Sequence, residues 1–153
     1  MSKFVHRSTR LHCNLLQSYQ MFTQEEKLKK WLCDEAFTNE NGFEIIINAE
    51  NLKIQTKGSR VLEKKNEEKL VIHWIEEDKD IDSIVEINFM QCAKRTIHCV
   101  EIHILHKNLP DELIDFYNNF WEKALDTLRY YYNSDWVIQD GDLTLTKLTG
   151  RSL

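Results

Sequence analysis

Proline and glycine are nearly missing from this chain: Pro110 alone, and four glycines, in 153 residues. That scarcity excludes flexible linkers and leaves few points at which the chain could divide into independent units. At this length one domain spanning residues 1–153 with one large core is expected. Cysteine is sparse as well. Cys13, Cys33, Cys92 and Cys99 show no CxxC spacing, and without a secretory signal an even count argues little for bridges, so the four are read as reduced, mostly buried thiols. Basic residues are outnumbered, 20 Lys and Arg against 25 Asp and Glu for a net charge of −5. A polyanion needs clustered cations to displace its counterions, so nucleic acid is excluded as a partner. No stretch approaches the roughly 20 apolar residues of a bilayer-spanning helix, and Met1-Ser2-Lys3-Phe4-Val5-His6 is no basic segment leading into an apolar run. No membrane association and a cytoplasmic location are expected.

What is present is ordinary globular composition, 42% hydrophobic and 29% charged, arranged in clear periods. Lys3 to Leu11 reads as an opening strand at an edge. Asn14 caps a short helix with Leu15, Leu16, Tyr19 and Phe22 at helical spacing. Thr23-Gln24-Glu25-Glu26 resembles a capping box for a second short helix ending near Trp31 and Leu32. After the turn-rich Asn39-Glu40-Asn41-Gly42 the period becomes two: Phe43, Ile45 and Ile47 point inward. Strand-like runs follow at Leu52 to Gln55, Arg60 to Lys64, Leu70 to Glu76, Ile84 to Met90 and Ile97 to His106. Their short polar connections, Glu63 to Lys69 and Glu76 to Asp82 among them, read as solvated turns and imply an antiparallel meander. Pro110 then opens a helix whose first turn holds Asp111 and Glu112, and nothing breaks it before Asn133. Its stripe of Leu113, Phe116, Tyr117, Phe120, Trp121, Ala124, Leu125, Leu128 and Tyr132 runs along a helix roughly 33 Å long, and only the sheet is large enough to cover it. Trp136-Val137-Ile138 and Leu143-Thr144-Leu145 around Asp140-Gly141-Asp142 read as a hairpin or an ordered tail, within an extension, residues 134–153, whose role the pattern does not define.

This order, an α+β arrangement of one strand, two short helices, a curved antiparallel sheet of six to seven strands and a long C-terminal helix, resembles the helix-grip fold of the START-like (SRPBCC) superfamily. Tyr19-Gln20-Met21-Phe22-Thr23-Gln24-Glu25-Glu26-Lys27-Leu28-Lys29-Lys30-Trp31 is similar to that superfamily's early aromatic, threonine, acidic, leucine and tryptophan pattern. The branch that it resembles is the family of homologues of the activator of heat-shock protein 90 ATPase. Leu70-Val71-Ile72-His73-Trp74 is similar to the family's leucine-to-tryptophan strand. Ile104-Leu105-His106-Lys107-Asn108-Leu109-Pro110-Asp111-Glu112 is similar to its strand, turn and helix start. Phe120-Trp121 stands where the family usually has Gly-Trp, and the usual proline near Lys65-Asn66 is absent. The likeness covers residues 3 to about 133. It implies a cavity between sheet and long helix for a lipid-like or aromatic molecule, or contact with a chaperone as in the eukaryotic activators; a minority of the superfamily are enzymes of cyclase or hydrolase type.

Against that background few residues carry chemistry. His98 and His106 share a strand face but lie roughly 26 Å apart, too far for one metal. Cys99, Glu101 and His103 share the opposite face, where a solvated strand surface is the commoner outcome and a transition-metal patch the conceivable one. His106, in phase with Val100, Ile102 and Ile104, stands beside the helix start. It can bind a ligand carboxylate or transfer a proton, although a hydrogen-bonded structural histidine is more frequent. No serine has a G-x-S-x-G context and no cysteine is fixed beside a histidine, so no catalytic residue is named, and no metal or cofactor is called for. Interior residues are either core or cavity lining. Trp74, His106, Phe120, Trp121, Ala124, Ile45, Phe89 and Ile102 are the candidates for touching an apolar small molecule. The leading reading is a small-molecule binding module. A chaperone or other protein partner is the alternative, and an enzyme the third.

Overall fold

The structure, a computed structural model, describes residues 3–49, 52–92 and 99–140. The chain runs β1 (Lys3–Leu11), α1 (Leu15–Thr23), α2 (Glu25–Trp31), β2 (Glu35–Thr38), β3 (Phe43–Ala49), β4 (Leu52–Gln55), β5 (Arg60–Lys65), β6 (Lys69–Glu76), β7 (Ile81–Gln91), β8 (Val100–Leu109) and α3 (Ile114–Asp140). Two antiparallel sheets form, ordered β1-β8-β7-β6-β5 and β2-β3-β4. A bridge between Gly42 and Arg60 and the bonds Phe43 N–H to Ser59 O and Val61 N–H to Asn41 O join them at one corner. This is the expected α+β helix-grip arrangement, with β1 at an edge as its mixed polarity implies. β2 is an additional short strand that four residues of mixed polarity did not announce.

Alternation decides which face is covered. On β6, Leu70, Ile72, Trp74 and Glu76 are buried; on β7, Ile81, Ser83, Val85, Ile87 and Phe89; on β8, Val100, Ile102, Ile104 and His106. Antiparallel register sets these side by side, Trp74 against Ser83 and His106 between Val85 and Val5. Against this face lies the helix stripe: Tyr117, Trp121, Leu125 and Leu128 are each at most 2% exposed. Burial of that apolar area is what holds α3 to the sheet, at roughly 2 kcal/mol per large side chain.

Several expectations are corrected. Thr23 does not cap α2: its hydroxyl donates to the Tyr19 carbonyl inside α1, Gln24 is the N-cap, and Glu25 accepts from the Thr38 N–H instead. The N-cap Gln24 makes no side-chain cap bond, so the expected reciprocal pair of Thr23 and Glu26 does not form. The Asn14 cap forms as expected, with Gln17 returning the bond to complete a reciprocal pair. Helix α3 continues through Asn133 to Asp140, so Trp136 to Ile138 lie in a helix and not in a hairpin or tail. Asn133-Ser134-Asp135 are only mildly unfavourable in a helix interior, and the next glycine of the sequence is Gly141. Leu143 to Leu145 lie outside the described residues. Strand β8 runs on from the expected His106 to Leu109, while Ile97 and His98 lie outside the described residues. Asn108 adopts the left-handed conformation, φ 64°, at the irregularity that pairs Lys3 with Leu109 and Phe4 with Lys107. Asparagine tolerates that conformation better than most residues.

The cysteines are corrected too. Gln91 pairs with Val100, which places Cys92 and Cys99 opposite each other where the β7–β8 ladder ends; their Cα atoms are 5.4 Å apart and they form a disulfide. Sequence spacing alone did not reveal that the two ends of this hairpin meet. Cys13 and Cys33 are buried thiols, and burial pushes both up to about 12, leaving them protonated and unreactive.

Candidate functional site

At the centre of the grip the sheet offers three consecutive strands and α3 offers one face. Trp74 comes from β6, Ser83 from β7, His106 from β8, and Tyr117, Phe120 and Trp121 from α3. Their rings meet edge to face. Trp74 lies 5.5 Å from His106, 5.7 Å from Trp121, 6.3 Å from Tyr117 and 6.4 Å from Phe120, measured between centroids. His106 lies 4.6 Å from Tyr117. The edge-to-face arrangement sets positive ring edges against negative faces, about 1 kcal/mol per pair beyond the area buried.

A directed hydrogen-bond chain runs through the cluster. Trp121 Nε1 donates to His106 Nδ1 at 3.1 Å. An indole nitrogen can only donate, so Nδ1 carries no hydrogen and the imidazole is the Nε2–H tautomer. Nε2 lies 2.7 Å from Ser83 Oγ, which passes its own hydrogen to the Trp74 carbonyl at 3.2 Å. Burial pulls the His106 pKa down to about 3. Geometry adds to this, because a proton on Nδ1 would face the indole N–H. Both imidazole nitrogens are therefore engaged by protein groups, and the residue is neutral across the physiological range.

At one edge of the cluster stands Glu76, fully buried. Trp74 Nε1 donates to its Oε2 at 2.9 Å and also approaches the Tyr117 hydroxyl at 3.2 Å. The Lys79 ammonium reaches its Oε1 at 3.1 Å, the Lys53 carbonyl at 2.7 Å, and lies 5.7 Å from the Phe116 ring centroid. Lys79 thus neutralises a buried carboxylate and ties the 3-10 turn Glu77–Lys79 to β4. The expected solvated turn from Glu76 to Asp82 is corrected here: its first residue is interior, as is Ile81.

Of the eight residues singled out in the sequence, four meet in this cluster: Trp74, His106, Phe120 and Trp121. Ala124 lies one turn further along α3, and Ile102 lies on β8 between Thr9 and Phe89. Phe89 joins a second aromatic group, 5.3 Å from both Tyr19 and Phe22, with Trp31 4.8 Å from Phe22. Ile45 lies on β3 opposite Ala36. Sequence reasoning missed Glu76, Ser83 and Tyr117 as partners, although each is in phase with the apolar residues of its own element. A void of about 10 Å³ lies among Phe22, Gly42, Phe43, Val61 and Leu70. A hollow of about 310 Å³ opens along β3 and β4, with Ile47 and Ile54 at its floor and Lys53 and Asp78 at its rim. The trio Cys99, Glu101 and His103 does not assemble, since Cys99 is bonded to Cys92; among the described residues no group of three or more metal-ligating side chains comes together. No helix is long and apolar enough to cross a membrane among the described residues.

A family model, described as Activator of Hsp90 ATPase homolog 1-like protein, matches residues 15–133. No curated protein matches in sequence. Solved structures match in fold. The Aha1 dimer from Colwellia psychrerythraea is 13% identical, with a TM-score of 0.64 over 85% of this chain and 96% of that one. An HSP90 activator from Plasmodium falciparum is 14% identical, with 0.64 over 85% and 96%. CalU16 from Micromonospora echinospora is 15% identical, with 0.65 over 93% and 91%.

Proposed function

The chain belongs to the Activator of Hsp90 ATPase homolog 1-like family, and on that premise we propose that it is a protein-docking, co-chaperone-like domain whose aromatic interior is a rigid core and not a ligand pocket. One observation carries this reading: Trp74, Glu76, Ser83, His106, Tyr117 and Trp121 satisfy one another's polar atoms. A small-molecule pocket ordinarily leaves convergent donors or acceptors facing open space. Here Phe120 occupies the position where the resemblance leads one to expect glycine, its ring 4.9 Å from Trp121.

Docking then belongs to the outer sheet face. Register lines up Phe4, Lys107, Ile84 and His73 in one row and His6, Leu105, Glu86 and Val71 in the next. Phe4 is 59% exposed, and Ile84, Leu105 and Val71 are half-buried. The charges among them are paired, Lys107 and Lys69 with Glu86. A face on which apolar side chains alternate with paired charges suits a protein surface. The partner would be heat-shock protein 90, since the matching family model and one of the matching structures carry the name of its activator. The test is the ATPase rate of purified heat-shock protein 90 with excess of this chain. A rise that Phe4→Asp/Val71→Asp abolishes without changing the far-UV spectrum supports the reading, whereas no rise and no binding by calorimetry overturns it.

A second reading, binding of an apolar small molecule, is favoured by the hollow over Ile47 and Ile54, whose volume lies at the low end of ligand sites. Native mass spectrometry of freshly purified protein tests it. A co-purifying molecule that is lost in Ile54→Lys supports this reading against docking.

A further inference from the structure

On the outer face of the sheet, away from the interior cluster, two histidines from adjacent strands face each other. His6 on β1 and His103 on β8 approach with Nε2 of the first 2.9 Å from Nδ1 of the second, their ring planes 18° from parallel. Ser8 is the direct cross-strand partner of His103, and His6 is its diagonal neighbour on the same face. The other nitrogen of His103, Nε2, lies 3.3 Å from Glu101 Oε1. Glu101 is in turn held by a hydrogen bond from Arg10, whose Nε lies 3.2 Å from Oε2, and the nearness of His103 first, then of Arg10, keeps its carboxyl below the usual range.

We propose that His6 and His103 form a two-nitrogen site for a late divalent transition metal of the zinc, nickel or copper class. The pair presents two imidazole nitrogens from strands whose separation is fixed by the ladder. Glu101 stands 3.3 Å behind His103 Nε2, close enough to accept from that nitrogen once the ring turns to hold an ion, the place carboxylates take behind metal-bound histidines. Bound at about 2.0 Å by each nitrogen in tetrahedral geometry, an ion sets those nitrogens about 3.3 Å apart. The pair must open by only a few tenths of an ångström, which a small rotation of the exposed His6 supplies. The single hydrogen now held between the facing nitrogens moves, by exchange with solvent, to the other nitrogen of its own ring, so both imidazoles stay neutral and each turns a bare nitrogen to the ion. No third ligating side chain joins the two among the described residues, so water completes the shell. Imidazole ligation selects copper over nickel and zinc, and all three over magnesium or calcium, which prefer oxygen.

The test is titration of the full chain with NiCl2 and with ZnCl2 by calorimetry, together with line broadening in 1H–15N spectra on adding CuCl2. The expected result is one ion per chain, with broadening centred on His6, Ser8 and His103. His6→Gln and His103→Gln should each weaken binding at least tenfold, and Glu101→Gln roughly tenfold through loss of ring orientation. MgCl2 should produce no heat. Unchanged affinity in His6→Gln, broadening centred instead on His73 and Asp82, or one ion shared by two chains would each overturn the proposal. Because broadening is read on the unsubstituted protein, the outcome stands even if a variant folds poorly.

Discussion

Acidifying the protein from pH 8 to pH 4 loads a proton onto His106 in the unfolded chain long before the native state accepts one. The unfolded value is about 6.5, and burial holds the native one at about 3. Because the native state binds fewer protons in between, stability falls as pH falls, starting near pH 6.5 and levelling near pH 3. At 1.36 kcal/mol per unit, this one residue removes about 2 kcal/mol by pH 5 and about 3 kcal/mol by pH 4. Other groups add to acid unfolding: Glu86, held low by its bonds from Asn88 and Lys107, loses that stabilisation on protonation. The assay therefore compares urea midpoints of the unsubstituted protein and His106→Gln at pH 7.5, 6, 5 and 4. Glutamine stays neutral, so the variant, less stable at pH 7.5, should converge on the parent as pH falls, closing the gap by about 2 kcal/mol at pH 5. Parallel curves would refute the reasoning, since they would mean that the native imidazole takes its proton at an ordinary pH.

Lys79→Met leaves the buried Glu76 carboxylate without its cation and should cost about 2 kcal/mol at pH 7, discounted because the Lys79 side chain is one third exposed. Chemical denaturation reads it, and the double variant Lys79→Met/Glu76→Gln should recover part of the loss. Reducing the Cys92–Cys99 bond, which closes a loop of seven residues' separation, should lower stability by about 2 kcal/mol. Denaturation with and without reductant measures that loss, and alkylation in denaturant without reductant, followed by mass counting, should find two free thiols, not four.

Much of the fold was legible because burial on one side imposes a period. Trp74, His106 and the inward residues of β6, β7 and β8 were placed by alternation, and the α3 stripe by its 3.6-residue repeat. The interior carboxylate was not. Glu76 opens an acidic run that looks solvated, yet it is in phase with Leu70, Ile72 and Trp74, and that phase was the stronger signal. The Cys92–Cys99 bond depends on cross-strand register, and sequence spacing carries little of that. The Thr23 capping box with Glu26 failed for another reason: the Thr23 hydroxyl is spent on the Tyr19 carbonyl inside α1, and the Thr23 carbonyl accepts from the Thr38 hydroxyl of β2. The same limitation applies to the candidate site. Alternation can bring Trp74, His106, Phe120 and Trp121 toward one another, but whether they line a space or fill it depends on Ser83 and Tyr117 closing the hydrogen bonds among them.

Xenon uptake, followed through methyl 1H–13C shifts, tests the closed interior most directly, because xenon enters dry apolar voids and little else. Under xenon pressure the methyl groups of Ile72, Ile102 and Ile104 should not respond in the unsubstituted protein. They should shift saturably in Phe120→Ala, where removing the ring leaves a cavity at a cost of about 3 kcal/mol. Saturable shifts of those methyl groups in the unsubstituted protein would contradict the account and point to a preformed cavity between the sheet and α3.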